Sequence, residues 1–430
     1  MGEDNGLVKL REVCSKIGSG ATPRGGKEVY VDSGISLIRS QNIYNDHFDY
    51  SGLAFITDKH AAELENVSVE PQDVLLNITG DSVARVQQVP ASVLPARVNQ
   101  HVSIIRPDPK KLDPKYLFYY LVSPFMQEYM LSLASSGGTR NALTKGMIEN
   151  FEILHPPLPE QRRIAHILGT LDDKIELNRR MNATLEAIAR ALFKSWFVDF
   201  DPVRAKLEGR PSGLPAGIGA FLPDGFEDSE LGKIPRGWEV KPLDNIADFL
   251  NGLALQKYPP INEFEYLPVI KIREMRQGYS STTDKTSTEI DQEYIVEEGD
   301  FLFSWSGSLI TKLWTEGRGA LNQHLFKVTS IEYPKWFYYF WVQEHLPEFQ
   351  AIAAGKATTM GHIQRHHINA AMCLVPPQEL LNSMTNFIQP LLDLYINNDL
   401  QSRRLSEIRD ELLPRLMRHQ ILQDGYDSNE

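Results

Sequence analysis

Two long stretches of the chain carry apolar residues at alternating spacings of three and four positions. The stretches cover residues 160–197 and 380–417. This spacing places the apolar residues on one face of a helix, which is typical of a helix that packs against another in a coiled coil. We therefore predict two long helices, each about 55 Å in length at a rise of about 1.5 Å per residue. Pro390 and Pro414 lie inside the second stretch, and we expect a kink or a frayed turn there.

Each long stretch has an asparagine on its apolar face near its midpoint. These residues are Asn178 in the first stretch and Asn398 in the second. Equivalent residues of two antiparallel helices related by pseudo-twofold symmetry meet only at the centre. We therefore predict that Asn178 and Asn398 face each other and fix the register of the helices, at some cost in stability. The alternative is that both side chains are solvated at the edge of the helix pair.

Four segments of the first half recur in the second half in the same order, 220 to 227 residues further on. The matching pairs are 69–80 with 296–307, 98–102 with 321–325, 114–120 with 334–340, and 155–157 with 375–377. Matches in one order indicate an internal duplication, and so long a period excludes a solenoid of short repeats.

Each copy of the repeat shows the same succession of elements. Short strand-like runs are predicted at 74–78 and 102–105, and again at 300–305 and 325–329. A short aromatic helix follows in each copy, at 114–120 and 334–341, and then a Pro-Pro break and the long helix. We expect the aromatic side chains of the short helices to lie in the core.

The predicted fold class is α+β. We expect two similar globular domains joined by two long antiparallel coiled-coil helices, arranged as a pseudo-twofold internal repeat. Residues 201–237 hold 7 Gly and 5 Pro and are predicted to be a semi-rigid linker on the surface. The predicted boundaries are 1–157 for the first domain, 158–200 for its long helix, 201–237 for the linker, 238–377 for the second domain, 378–420 for its long helix and 421–430 for a tail.

Composition and charge limit the class of protein. The chain has 430 residues, two cysteines and a formal net charge of −12. Two cysteines are too few for a disulfide scaffold or a four-cysteine zinc site. No signal peptide and no membrane-spanning run are evident, so we expect a soluble, cytoplasmic protein. The acidic balance alone argues against nucleic-acid binding, but it fixes only the total charge and not its distribution.

The motifs of common catalytic and cofactor sites are missing from the sequence. There is no Walker A loop, no dinucleotide-binding glycine motif and no adenine-methylation motif. His362 and His366 have a spacing that suits zinc, but no third ligand is evident, so we predict no metal site. An Asn-Gln-His triplet occurs in both copies, and its histidine is either a satisfied structural residue or a binding contact. We expect a binding protein with no catalytic residues and no cofactor of its own.

Several segments resemble one known family. Residues 156–165, 171–178 and 192–200 resemble the central conserved region of the specificity subunits of type I restriction–modification systems. Residues 229–240, around the Gly237-Trp238 junction, resemble the same family. Residues 19–23, Ser-Gly-Ala-Thr-Pro, resemble a common opening of its first target-recognition domain. The resemblance covers essentially the whole chain, although the second copy has Asn-Gly-Leu-Ala at 251–254 in place of the Thr-Pro loop.

The resemblance implies a function and a set of partners. Each globular domain would be a target-recognition domain that reads one half of a bipartite double-stranded DNA target. The paired helices would set the spacing between the half-sites and dock two methyltransferase subunits, and restriction subunits would join them. S-adenosylmethionine, ATP and magnesium would belong to those partners, and the chain would direct N6-adenine methylation or restriction without being an enzyme. The alternative is a helical scaffold that assembles partner proteins without reading DNA.

Candidate DNA contacts follow from side-chain chemistry. Arg and Lys suit guanine or phosphate, and Asn and Gln suit adenine. The candidates lie in loops or at predicted strand ends beside the repeated motifs, and the alternative for each is an ordinary solvated surface residue. They are Lys27, Arg39, Gln41, Thr79, Arg85, Arg140 and Lys145 in the first domain, and Lys271, Arg273, Ser306, Ser308, Lys312, Lys356, Thr359 and Arg365 in the second.

Overall fold

The computed structural model describes residues 6–135, 141–214, 216–355 and 361–418. It divides into two compact units. Unit 1 comprises Met1–Lys174 and Leu405–Glu430, and unit 2 comprises Ile175–Arg404. The division falls inside both long helices, whereas the sequence placed each helix outside the globular domains. The difference arises because the helix ends pack into the cores, as buried Ile164, Leu168 and Leu416 do in unit 1.

Unit 1 contains short strands, short helices and the first long helix, which continues into unit 2. The strands are β1 (Leu7–Lys9), β2 (Cys14–Ser19), β3 (Tyr30–Val31), β4 (Ile35–Ile38), β5 (Ala54–Ile56), β6 (Ser68–Val69), β7 (Val74–Asn77), β8 (Val86–Gln88), β9 (Ala96–Val98), β10 (Val102–Pro107) and β11 (Glu152–Leu154). The helices are α1 (Leu10–Val13), α2 (Asp58–Glu63), α3 (Pro114–Val122), α4 (Pro124–Ser135), α5 (Lys145–Glu149) and α6 (Leu158–Phe197).

Unit 2 repeats this succession and contains most of the second long helix. Its strands are β12 (Phe226–Ser229), β13 (Gly232–Pro235), β14 (Glu239–Pro242), β15 (Asp248–Asn251), β16 (Leu267–Ile270), β17 (Lys285–Thr286), β18 (Ile295–Val296), β19 (Phe301–Ser304), β20 (Thr311–Leu313), β21 (Gly319–Leu321), β22 (Leu325–Thr329) and β23 (Met372–Val375). Its helices are α7 (Asp201–Leu207), α8 (Ala216–Gly219), α9 (Leu243–Ile246), α10 (Ile272–Gln277), α11 (Lys335–Ala354), α12 (Arg365–Ala370) and α13 (Gln378–Met417).

The sheets of the two units share one strand order, apart from the additional edge strand β3 in unit 1, and this confirms the predicted duplication. A four-stranded antiparallel sheet has the order β2-β10-β7-β8 in unit 1 and β15-β22-β19-β20 in unit 2. A mixed sheet has the order β3-β5-β4-β9-β6 in unit 1 and β17-β16-β21-β18 in unit 2, each with one parallel pair. A two-stranded pair completes each unit, β1 with β11 and β14 with β23.

The aromatic helices lie in the cores, as their apolar spacing predicted. Tyr116 and Tyr119 of α3 are buried in unit 1, and Trp336 and Phe337 of α11 are fully buried in unit 2. Helix α11 is longer than the predicted 334–341, because it continues through Pro347 and buries Phe349 against the same core.

The segment 201–237 is not the surface linker that its Gly and Pro content predicted. It forms α7, α8 and the β12–β13 hairpin. Val203, Ile218, Leu222 and Ile234 are buried in the core of unit 2, at most 6% exposed. Their burial shows that the segment is part of the unit, with the glycines and prolines confined to the turns between its elements.

The two long helices match the predicted apolar stretches 160–197 and 380–417 to within two residues, and α13 continues without interruption through Pro390 and Pro414. Within unit 2 they pair antiparallel around a polar layer. The Asn178 Nδ2 donates to the backbone oxygen of Asn398 at 3.3 Å and to Gln401 Oε1 at 2.9 Å. The Asn398 Nδ2 donates to Asn182 Oδ1 at 2.9 Å. The structure thus brings Asn178 and Asn398 together, while their role in fixing the register stays a prediction.

Asp399 adds a carboxylate to this polar layer. It accepts a hydrogen bond from Asn182 Nδ2 at 2.9 Å. Burial raises the pKa of Asp399 above its usual value near 3.8, and the Asn182 hydrogen bond only partly offsets this. The folded state therefore binds the proton more tightly than the unfolded state does. As a result, the free energy of unfolding falls as the pH rises from the usual pKa of an aspartate through the raised pKa of Asp399.

Replacing Asp399 with asparagine should stabilise unit 2 at neutral pH. The amide keeps an oxygen for Asn182 and removes a partly buried charge, so D399N should raise the free energy of unfolding at pH 7 by roughly 1 kcal/mol. The gain should shrink toward pH 4. All six tryptophans lie in unit 2, so urea denaturation followed by tryptophan fluorescence measures this unit. The exposed Asp393 on the same helix provides the control, D393N, and a less stable D399N would contradict the prediction.

Candidate nucleic-acid interface

In unit 1, β4 and β9 are parallel strands whose carboxyl ends lie side by side. In β4 and β9, Ile38 is opposite Val98. Arg39 and Asn99 follow these residues, and the Asn99 N–H donates to the Ile38 oxygen at 3.0 Å. The strand ends therefore place a cation beside an amide side chain.

Unit 2 has the same arrangement with different residues. In β16 and β21, Ile270 is opposite Leu321. Lys271 and Asn322 follow, and the Asn322 N–H donates to the Ile270 oxygen at 3.2 Å. We call the paired carboxyl ends of β4 and β9, and those of β16 and β21, the strand-end frame. The two units share this frame and differ in the cation that follows it.

Each of these asparagines begins the repeated Asn-Gln-His triplet and closes its turn. The Asn99 Oδ1 accepts from the backbone N–H of His101 at 3.2 Å. The Asn322 Oδ1 accepts from the backbone N–H of His324 at 3.3 Å. Both asparagines are buried, and their side chains stabilise the turn by the hydrogen bond of an Asx turn.

A hydroxyl from the neighbouring loop holds the histidine of each triplet. The Thr79 Oγ1 lies 2.7 Å from Nδ1 of His101, and the Ser306 Oγ lies 2.9 Å from Nδ1 of His324. Thr79 and Ser306 are two of the candidates predicted from the sequence. The structure brings them to equivalent places, directly beside the strand ends.

A glycine lets the backbone pass close beneath each triplet. A Cβ on Gly20 would lie 2.1 Å from the Val98 oxygen, and one on Gly252 would lie 2.3 Å from the Asn322 oxygen. Both glycines directly follow the first strand of the antiparallel sheet, β2 or β15. The Ser-Gly-Ala-Thr-Pro loop of the first copy and the Asn-Gly-Leu-Ala loop of the second therefore occupy the same position.

The remaining described candidates of unit 1 form contacts with other parts of the unit. Arg39 Nη2 donates to the Gly52 oxygen at 2.6 Å, and Gln41 Nε2 lies 3.4 Å from the same oxygen. The Arg85 guanidinium lies 4.4 Å from the centre of the Tyr44 ring. Lys145 forms an exposed ion pair with Glu149 in α5. The Lys27 side chain and Arg140 lie outside the described residues.

In unit 2, three of the candidates line one concave pocket of about 570 Å³. They are Lys271, Arg273 and Ser306, and Gln323 and His324 of the triplet lie in the same wall. The pocket combines cations, amides and a hydroxyl with apolar side chains such as Leu255 and Val269, which suits recognition of a polar ligand.

Acidic side chains already neutralise part of the charge in this pocket. Lys271 forms an ion pair with Asp284 and holds the pKa of that carboxyl below its usual value. Arg273 Nη2 donates to Glu274 Oε1 at 2.7 Å. These pairs hold both cations against carboxylates, and they must rearrange for the cations to contact phosphate.

Of the other described candidates of unit 2, Ser308, Lys312 and Arg365 do not line the pocket. Lys312 Nζ donates to Glu316 Oε1 at 2.9 Å, and Ser308 is exposed in a separate depression. Arg365 Nη2 donates to the Phe249 oxygen at 3.0 Å. Lys356 and Thr359 lie outside the described residues.

The histidines that suggested a weak metal site are used differently in the described part of the chain. His362 forms a β-bridge with Ser306, and its ring lies 6.4 Å from the Trp305 ring. Across residues 6–135, 141–214, 216–355 and 361–418, no group of three or more His, Cys, Asp or Glu residues is arranged to hold a metal ion.

Comparison with known proteins identifies the family. A family model described as the type I restriction modification DNA specificity domain matches residues 2–187 and 235–389, once in each copy of the repeat. The chain belongs to this family. It is a DNA-specificity subunit of the type I restriction–modification class, without a catalytic step of its own, and this membership does not favour the scaffold alternative.

Two curated relatives extend over most of the chain. The type I restriction enzyme MjaIX specificity subunit of Methanocaldococcus jannaschii is 26% identical over 96% of this chain and 93% of its own length. The HindI specificity subunit of Haemophilus influenzae is 26% identical over 75% of this chain and 81% of its own length.

A solved structure supports the fold. The S subunit of a type I restriction–modification system from M. genitalium aligns over 97% of both chains with a TM-score of 0.56 and 14% identity. Within the described residues, none of the helices has both the length and the apolar character needed to cross a bilayer.

Sequence reasoning did not include the triplet glutamines and asparagines among the candidates. Asn99, Gln100, Asn322 and Gln323 all lie at the strand ends, beside the predicted Thr79 or Ser306. The signal was present, because the triplet is one of the four repeated segments. It was overlooked because only its histidine was considered as a chemical group.

Proposed function

We propose that the chain selects the DNA target of a type I restriction–modification complex, with each unit reading one half of a bipartite sequence. The observation that carries this proposal is the common strand-end frame with different side chains. Arg39 and Thr79 in unit 1 correspond to Lys271 and Ser306 in unit 2. One frame with two sets of side chains suits two half-sites of different sequence.

Other subunits supply the chemistry in this proposal. Two methyltransferase subunits dock on the paired long helices, and these helices set the spacing between the half-sites. Restriction subunits join to complete the nuclease. The partners bind S-adenosylmethionine, ATP and magnesium, and the complex works in the cytoplasm, where the chromosome is accessible. The net charge of −12 and the paired cations of the interface support a DNA affinity that depends on the assembled complex.

Genome-wide mapping of N6-methyladenine tests the proposal. Cells that express the chain with a methyltransferase subunit should methylate a split motif that is absent without the chain. Replacing residues 1–155 with those of another family member should change one half of the motif and leave the other half intact, because each unit has its own frame. The unaltered donor chain is the control. If no methylation depends on the chain although it binds a methyltransferase subunit, the scaffold alternative replaces this proposal.

A further inference from the structure

The triplet glutamine occupies the same position in both units, although the cation and the hydroxyl near the triplet differ. Gln100 follows Asn99 at the end of β9, and Gln323 follows Asn322 at the end of β21. The neighbouring cation changes from Arg to Lys and the neighbouring hydroxyl from Thr to Ser. The glutamine does not change, so both units present the same side-chain amide, that of Gln100 or Gln323, as a group that could contact a base.

The other two members of each triplet are held by the protein itself. The asparagine side chain is buried and closes the turn, and the histidine Nδ1 is held by the hydroxyl of Thr79 or Ser306. Gln100 is exposed, and Gln323 is partly exposed in the pocket wall. His101 and His324 are also partly exposed, but their Nδ1 atoms already contact a hydroxyl, so the glutamine amide is the triplet group that can turn both a donor and an acceptor toward a ligand.

A ligand could readily replace the hydrogen bonds that the two glutamine amides form within the protein. Gln100 Nε2 lies 3.1 Å from Nε2 of His101, and its Oε1 accepts from the Thr22 hydroxyl. Gln323 Oε1 accepts from Asn322 Nδ2 at 2.8 Å. These are neutral hydrogen bonds, exposed at Gln100 and partly buried at Gln323, and neutral hydrogen bonds exchange for others at little net free energy.

We propose that Gln100 and Gln323 read the same base, an adenine, once in each half of the DNA target. The inference rests on the proposed function and adds the base that each unit recognises. A glutamine amide offers one donor and one acceptor, which match N7 and the N6 amino group of adenine in the major groove. A repeated glutamine on a repeated frame therefore implies that the two half-sites share this one base pair.

Selection of bound sequences from random DNA, using the chain assembled with its methyltransferase subunits, tests the inference. The wild-type consensus should contain an adenine in each half. Gln100→Met should make that position degenerate in one half only, and Gln323→Met in the other half only. The loss of discrimination at each position should be about 10- to 100-fold, the range of one bidentate base contact.

A second pair of variants separates base reading from misfolding. A carboxylate accepts from the N4 amino group of cytosine, so Gln100→Glu and Gln323→Glu should shift the preferred base from adenine toward cytosine in the corresponding half. A switch of preference requires a folded protein. Gln292→Met, at an exposed glutamine of unit 2 away from the strand ends, is the matched control and should leave the consensus unchanged.

The outcomes separate this inference from the proposed function. If the wild-type complex selects no split consensus, the proposed function fails. If it selects one and the glutamine variants retain it, the inference alone is overturned. A uniform loss of affinity with an unchanged consensus would also overturn it, because that result identifies a phosphate contact. The inference would also be overturned if the position that becomes degenerate in a glutamine variant were not an adenine in the wild-type consensus.

Discussion

Replacing Phe197 with alanine is expected to lower the free energy of unfolding of unit 2 by about 3–5 kcal/mol. Phe197 is fully buried near the end of α6. Its ring lies 5.0 Å from that of Phe193, 5.5 Å from those of Trp238 and Phe337, and 5.8 Å from that of Trp336. The residue thus joins the long helix to α11 and to Trp238, which precedes β14, and its removal leaves a cavity among rigid rings that cannot collapse to fill it.

Tryptophan fluorescence during urea denaturation measures this effect, since all six tryptophans belong to unit 2. The matched control is Leu177→Ala on the same helix. Leu177 is 43% exposed, so its truncation should have a small effect. If F197A and L177A were equally mild, the aromatic cluster would not be the stabilising centre of the unit.

The features predicted best from the sequence are those with strong periodicity or repetition. The bounds of α6 and α13 follow from the spacing of apolar residues, because a long helix with one buried face repeats the same pattern over many turns. The duplication was evident from the order of the repeated segments. The strand Leu325–Thr329 agrees with its prediction because its side chains pack in the core between turn residues.

The segment 201–237 shows where composition misleads. Gly and Pro mark turns, but they do not indicate whether the residues between the turns are buried. Val203 and Ile218 are isolated apolar residues without a helical or strand period. Their burial depends on the aromatic core formed by residues far away in the sequence, so no local pattern reveals it.

The candidate interface was predictable only in part for a similar reason. The parallel pairing of β4 with β9 brings Arg39 beside Asn99, and that of β16 with β21 brings Lys271 beside Asn322. Parallel strands are connected by long segments, so the side chains that meet at their ends are distant in the sequence. Side-chain chemistry singled out Thr79 and Ser306, which the structure places in this region, but it could not show which residues they contact. Their role in binding stays a prediction.

Substitution of Gly20, but not of nearby Gly18, is expected to lower the stability of unit 1 strongly. Gly20→Ala should destabilise unit 1 by about 3 kcal/mol, the upper end of the range for overpacking. The added Cβ would lie 2.1 Å from the Val98 oxygen and 2.3 Å from the Asn99 oxygen. These are backbone atoms that cannot rotate away. Strand β9 must therefore shift and weaken the hydrogen bond from the Ala21 N–H to Val98, which is 3.0 Å long.

Gly18→Ala is the matched control, because it lies two residues earlier and a Cβ there has no neighbour within 4 Å. Alanine should leave stability unchanged or raise it by about 0.5–1 kcal/mol, since glycine loses more conformational freedom on folding. Hydrogen exchange of residues 96–107 measures the local effect, and methylation mapping measures the functional one. G20A should blur one half of the target and leave the other half sharp, because it displaces the turn that holds Gln100 and does not touch the frame of unit 2. If G20A showed wild-type hydrogen exchange and an unchanged methylation motif, the close approach of the backbone at Gly20 would not be what positions Gln100.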